Sequence, residues 1–256
     1  MLPSFSKFVL NLKSLILLPI NSVIRKLNPR SLKMEFKTLK LTKEKFGYPA
    51  LYHSIKYSCI NKLHFYKELQ GMTVTMDSLD PKYLEGNEKY TYRFLTNEEL
   101  KEYSKDENNF ISPEFLEHAI EKGDYCYAVL DGDVLASYGW YSAKPTEINE
   151  ELSLHFDDSW IYMFKGYTSL DYRGQRLHAI GMARSLKAFA EKGFKGIISY
   201  VETNNYASLR SCERMGYKNF GKVCIKKTRR GFRINPEESC AEYSFTVKAK
   251  HPFHHN

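Results

Sequence analysis

Two arginines, Arg173 and Arg176, bracket Gly174 and Gln175 at a point where an apolar run, Trp160-Ile161-Tyr162-Met163-Phe164, has passed through Lys165-Gly166-Tyr167-Thr168 and a helical pattern begins. The first N–H groups of a helix have no partner within it and carry the positive end of its dipole. Two guanidinium groups beside them make a place that suits phosphate. Some thirty residues on, Asn205 and Ser208 put an amide and a hydroxyl at a second strand-to-helix junction, where they can bond a ligand, cap the helix, or do both.

The elements that position these residues are legible from periodicity. Leu177, Ile180, Ala183, Leu186, Phe189 and Ala190 recur at three- and four-residue intervals, so one helical face is apolar and packs on a sheet, and Gly193 ends the helix. The run Gly196-Ile197-Ile198-Ser199-Tyr200-Val201 is β-rich and, following a helix, lies most simply parallel to the first strand in a right-handed crossover. A second helix over 206–215 closes at Gly216. The stretch 160–217 therefore reads as one β-α-β-α unit.

Within it, Arg173-Gly174-Gln175-Arg176-Leu177-His178 resembles the coenzyme A pyrophosphate cradle, [RQ]-x-x-G-x-[GA], of the GNAT superfamily of acyl-CoA-dependent acyltransferases. The leading arginine fits, while Arg176 and His178 stand where the pattern has small residues. The segment Asn205-Tyr206-Ala207-Ser208-Leu209-Arg210-Ser211-Cys212-Glu213-Arg214-Met215-Gly216-Tyr217 resembles the N-x-x-[AS]-x-x-x-Y-x-x-x-G-[FY] stretch of the same superfamily, with Cys212 in place of the tyrosine. The two segments occur in the family's order, separated by room for one helix and one strand.

The resemblance implies an α/β (α+β) fold with a mixed, mostly antiparallel sheet around that central coenzyme-binding unit. The implied reaction is direct attack of an acceptor amine on the thioester of acetyl-CoA or another acyl-CoA. Gly166, Tyr167, Thr168, Arg173, Gly174, Gln175, Arg176, Leu177, His178, Asn205 and Ser208 would border the coenzyme, with backbone groups near Gly166 and Thr168 receiving the carbonyl oxygen. Glu202, at the end of its strand, is the first candidate base and His178 the second. Cys212, with an ordinary thiol pKa of about 8.5, stands where the family keeps its acid for the leaving thiolate, and a packing cysteine is the bland alternative. A coenzyme-binding module without turnover remains open beside the enzyme.

Composition bounds the rest. With 256 residues, 43% of them hydrophobic and 14% aromatic, the chain can bury a substantial core. Five cysteines without a C-x-x-C pair, and no histidine at zinc spacing, indicate neither a disulfide framework nor a structural metal, and a reducing cytoplasm fits best. The net charge of +8 does not point to nucleic acid, because Lys7, Lys13, Arg25, Lys26, Arg30 and Lys33 precede every acidic residue. Residues 1–33 form a basic amphipathic extension with Phe5, Phe8, Val9, Leu12, Leu15 and Ile16 on one face. Three readings stand: a helix on an anionic membrane surface, an organelle presequence, or an extension without function.

Residues 34–89 are placed as an N-terminal embellishment, helical over 48–69 and β-like at Met72-Thr73-Val74-Thr75. The acyltransferase-like domain spans 90–248. It opens with a strand and two helices, the first capped by Thr96 with Glu99 three residues on and the second starting at Ser112-Pro113. A hairpin follows, turning at Asp131-Gly132-Asp133. Beyond it lie Glu147, Glu150, Glu151, Asp157 and Asp158; the resemblance implies that they border the acceptor side, where they would draw in a cationic amine, and a merely solvated charged loop is the alternative.

Segments 218–228 and 241–247 read as a last strand pair joined by a basic loop. Its Lys222 to Arg233 stretch is either a dock for an acidic carrier, such as an acyl carrier protein or a tRNA end, or a charged hairpin edge. Residues 249–256 are a tail. The acceptor, whether a small molecule or a larger amine-bearing partner, is not identified by these residues.

Overall fold

A computed structural model of the chain describes residues 29–250. The basic extension expected over 1–33, with its membrane contact, and the tail 249–256 lie outside the described residues apart from 29–33 and 249–250. Contacts divide the chain between Lys56 and Tyr57 into two compact units.

In the first, helix α1 (Pro29–Leu63) begins and is broken at Gly47, whose φ of 82° no helix tolerates. Pro49 follows two residues later. No described helix is long and apolar enough to cross a membrane.

The second unit begins with the end of α1. It continues with β1 (Tyr66–Val74), β2 (Thr91–Phe94), α2 (Asn97–Tyr103), α3 (Pro113–Lys122), β3 (Tyr125–Asp131), β4 (Val134–Ser142), β5 (Thr146–Glu147) and β6 (Leu152–His155). Next come β7 (Trp160–Thr168), α4 (Leu177–Glu191), β8 (Gly196–Glu202), α5 (Tyr206–Met215), β9 (Lys218–Thr228), β10 (Gly231–Pro236) and β11 (Thr246–Ala249). Eight strands form one sheet in the order β10-β9-β1-β8-β7-β4-β3-β2, and β11-β6-β5 form a second. Every pairing is antiparallel except β7 with β8. The expected mixed, mostly antiparallel architecture with its β-α-β-α unit is the one observed.

Alternation along the strands sorts the core into layers. Tyr127, Tyr141, Ile161 and Ile197 face α4 and α5 in a cluster with Met182, Leu186, Phe189 and Met215. On the opposite face Cys126, Ala128, Tyr138 and Trp140 pack on α2 and α3 through Leu100, Leu116 and Ala119. Further along that face Trp160, Tyr162, Ile198, Val223 and Ile225 meet Leu152, Leu154 and Val247 of the small sheet.

The caps follow the sequence. Thr96 and Glu99 exchange both bonds of a capping box, Ser112 accepts from the Phe115 N–H, and Gly123 ends α3 in the left-handed region. Gly216 closes α5 at φ 96°, and a Cβ there would stand 1.8 Å from the Ser78 carbonyl oxygen, so conformation and space both require glycine.

Three expectations change. First, residues 34–89 are not simply an embellishment: β1 lies between β8 and β9 and is buried from Leu69 to Val74. The helix expected over 48–69 ends at Leu63, because Tyr66 onward pairs with β9 and, from Leu69, with β8.

Second, the partner of β9 in its hairpin is β10, closed by Thr228 and Gly231, with the Thr228 hydroxyl donating to the Gly231 carbonyl. The stretch 241–247 instead holds the end of a 3-10 turn (Glu238–Tyr243) and the start of β11, which pairs with β6. Most of the expected basic loop is thus strand.

Third, the acids expected to draw in a cation are partly neutralised internally. Glu147 pairs with Lys250, Glu151 with Lys227 at 2.7 Å, and Asp157 holds the backbone N–H and hydroxyl of Ser159.

Candidate active site

The parallel contact of β7 and β8 lasts three residue pairs, Trp160 to Tyr162 against Gly196 to Ile198. The strands then part: β7 stays with β4 as far as Thr168, and β8 stays with β1 as far as Glu202. A bulge starts the divergence, since Met163 pairs with Tyr141 and Lys165 with Trp140, leaving Phe164 as the extra residue. At the fork the Ser199 hydroxyl donates to the Met163 carbonyl at 3.3 Å. Beyond it the edge of β7 toward β8 has no strand partner among the described residues, so backbone donors and acceptors from Phe164 to Thr168 line the opening.

The chain leaves β7 through a 3-10 turn (Leu170–Tyr172) and enters α4 through Arg173-Gly174-Gln175-Arg176. Gly174 (φ 84°) and Arg176 (φ 61°) are both left-handed. Arg176 therefore adopts the backbone shape that a glycine supplies at lower cost, and it holds that shape at the N-cap with its side chain exposed. No side chain caps α4 and no acidic residue sits in its first turn. Arg173 donates from Nε to the Thr168 carbonyl at 3.3 Å, and neither arginine forms an ion pair among the described residues. An uncapped helix start, two guanidinium groups with no carboxylate partner among the described residues, and open space around Gly174 fit a diphosphate.

The other predicted residues divide by role. Leu177 is buried against Tyr90, Val129 and Ala136, so only its backbone is available. The Gln175 side chain accepts from the Tyr90 hydroxyl at 2.6 Å. Tyr172, on the same turn, donates to Asp131, which in turn pairs with Lys89. Residue 90 thus steadies the turn, and its role had no local signal because Gln175 is 85 positions away. The Thr168 and Ser137 hydroxyls are 2.8 Å apart, and Ser137 also donates to the Tyr167 carbonyl. Asn205 caps α5 by accepting from the Ser208 N–H at 3.2 Å.

The three proton-transfer candidates do not come together. The His178 ring lies against Gly166, where an added Cβ would stand 2.3 Å from Cε1 and 2.9 Å from Nε2. Burial lowers its pKa and keeps the imidazole neutral near pH 7. Cys212 packs half-buried beside the same α4/α5 layer, and burial pushes its thiol up to about 11, so it stays protonated. Glu202 projects to the opposite face of β8. There it takes the Tyr57 hydroxyl at 2.9 Å and an ion pair with Lys67, an arrangement that opposes its use as a free base. The same environment raises the Tyr57 pKa, through desolvation first and then the hydrogen bond to Glu202.

No family model matches the chain, and no curated protein sequence matches it. Solved structures do align with it. A GCN5-related N-acetyltransferase-like protein from Streptococcus suis has 14% identity over 69% of this chain and 67% of its own, with a TM-score of 0.45. An acetyltransferase from the GNAT family of Colwellia psychrerythraea aligns at 14% identity over 75% of this chain and 62% of its own, with a TM-score of 0.42. An aminoglycoside acetyltransferase from an uncultured soil metagenomic sample aligns at 11% identity over 51% of this chain and 90% of its own, with a TM-score of 0.40.

Proposed function

We propose that the chain is an N-acyltransferase that takes an acyl group from coenzyme A to a primary amine. One observation carries the reading: the β7/β8 fork opens beside an uncapped helix start flanked by Arg173 and Arg176. The fork offers backbone groups to an amide-bearing arm, and the helix start offers N–H groups and charge to a diphosphate. Acyl-CoA would supply an electrophilic thioester carbonyl at the fork.

The chain's own residues would do the rest. Arg173, Arg176 and the α4 N–H groups would hold the diphosphate. Unpaired N–H groups of β7 near Gly166 would stabilise negative charge on the carbonyl oxygen. Neutral His178, in contact with Gly166, can accept the proton of the attacking amine, directly or through water. Burial holds the Cys212 thiol up at about 11, above the ordinary thiol range of about 8.5, so the departing thiolate would take its proton from water rather than from Cys212.

Calorimetric titration of acetyl-CoA into the wild type and an Arg173→Ala variant tests the reading. Micromolar binding that weakens about tenfold in the variant is expected, and absence of heat in the wild type would sink it. A second reading, a coenzyme-binding module without turnover, is favoured by the internal pairing of Glu202. Thioester consumption with any amine would exclude it.

A further inference from the structure

Lys165 stands directly before Gly166 on β7 and projects to the α2/α3 face, opposite His178. It is half-buried. Its ammonium donates to the Phe110 carbonyl at 2.8 Å and sits 3.9 Å from the centre of the Phe115 ring. No carboxylate pairs with it among the described residues.

The neighbouring Lys122, 5.0 Å from the centre of the Phe164 ring, is satisfied by pairing with Asp124 at 3.0 Å. Lys165 is therefore an uncompensated positive charge at the mouth of the fork. Aromatic rings surround it. Phe164 lies 6.3 Å from Phe115, and Phe110, left-handed and exposed, packs on Tyr167 at 5.0 Å.

A partly desolvated ammonium without a counterion attracts an anion, and a carbonyl and a ring only partly replace the water it has lost. Burial lowers its pKa, as expected for a cation lacking that partner. One point charge among ring faces suits a monocarboxylate with an apolar body better than a polyanion, which requires several cations.

Resting on the acyltransferase reading, the geometry points to an acceptor amine that itself carries a carboxylate, with Lys165 holding that carboxylate and Phe110, Phe115 and Phe164 lining its apolar part. The amine then faces β7 at Gly166, where the thioester carbonyl would lie. This reverses the expectation of an acidic surface selecting a cationic acceptor.

The test is calorimetric titration of L-phenylalanine and of its amide into the full chain, with and without saturating coenzyme A. The wild type is expected to prefer the carboxylate by about tenfold or more. That preference disappears in Lys165→Met, which keeps the packing stem, and survives in Lys165→Arg. Thermal melts establish that both variants are folded. Equal affinity for the two probes, binding of neither, or a preference that persists in Lys165→Met overturns the assignment. The parent reading fails separately, by the absence of heat from acetyl-CoA, whereas the carboxylate preference is read without any turnover.

Discussion

Two helices of the central unit start in opposite ways. At α5, Asn205 turns its side chain back onto the Ser208 N–H, the usual way of satisfying an orphan donor. At α4 an arginine in a left-handed conformation occupies the N-cap, and neither a capping side chain nor an acid in the first turn answers the helix's positive end. Both starts follow a strand and both helices pack on the same face of the sheet, so topology does not explain the difference. The two starts follow the two arms of the same fork, β7 and β8. On the proposed reading, α4 keeps its donors for an anion and forgoes the contribution that a capping side chain makes at α5. The lesson extends to α2, where Thr96 and Glu99 satisfy each other's backbone and Arg93 adds a bidentate pair to Glu99.

The sharpest way to break the contrast is to give α4 the cap it lacks. Arg176→Asp removes a cation and adds an acid at the helix start, and should weaken acetyl-CoA binding by roughly 100-fold while leaving the melting temperature unchanged or higher. Unchanged affinity would remove the diphosphate from this turn. Next in size, Gly166→Ala drives a methyl into the His178 ring and should cost about 1–3 kcal/mol by denaturant unfolding. Adding His178→Ala should recover most of that loss, and failure to recover would mean that the two residues are not in contact.

A smaller, paired prediction concerns the caps alone. Asn205→Ala should lose about 1 kcal/mol of stability, whereas Arg176→Gly should gain about 1 kcal/mol by relieving the left-handed arginine. Equal losses in both would erase the asymmetry. The smallest effect lies at α2. Glu99 is held at about 2, first by Arg93 and then by the Thr96 backbone, below its ordinary 4.5. A depressed carboxylate stabilises the fold above its unfolded pKa, and that stabilisation is lost as pH falls from 4.5 toward about 2. Unfolding midpoints across that window should fall less steeply in Glu99→Gln than in the wild type, and identical slopes would contradict the pairing.

Much of the fold was readable because its signals are local. The capping box at Thr96, the Asp131-Gly132-Asp133 turn, the apolar stripe of α4 and the closing Gly216 each act within a few residues, and each appears where expected. β1 was misplaced for the complementary reason. Its partners, Ile197 to Glu202 and Lys218 to Lys226, lie more than 120 positions downstream, and nothing within 66–74 announces them. The turn at Arg229-Arg230-Gly231 lies within the stretch read as either a dock or a charged hairpin edge, and β9 and β10 form a hairpin there with β10 at the edge of the sheet.

The candidate site divides along the same line. Residue types and spacing by themselves determined a phosphate-suited helix start at Arg173 to Arg176, a cap at Asn205 and the β-α-β-α order, because helix donors, caps and strand alternation depend on neighbours in the chain. Only the tertiary structure decided that Glu202 is tied to Tyr57 and Lys67 on the face away from His178 and Cys212. It alone decided that His178 fills the space above Gly166, that Tyr90 steadies Gln175, and that Lys165 reaches the Phe110 carbonyl with no carboxylate partner among the described residues. Charge compensation and desolvation are set by whatever folding brings within a few ångströms, and separation along the chain does not constrain that.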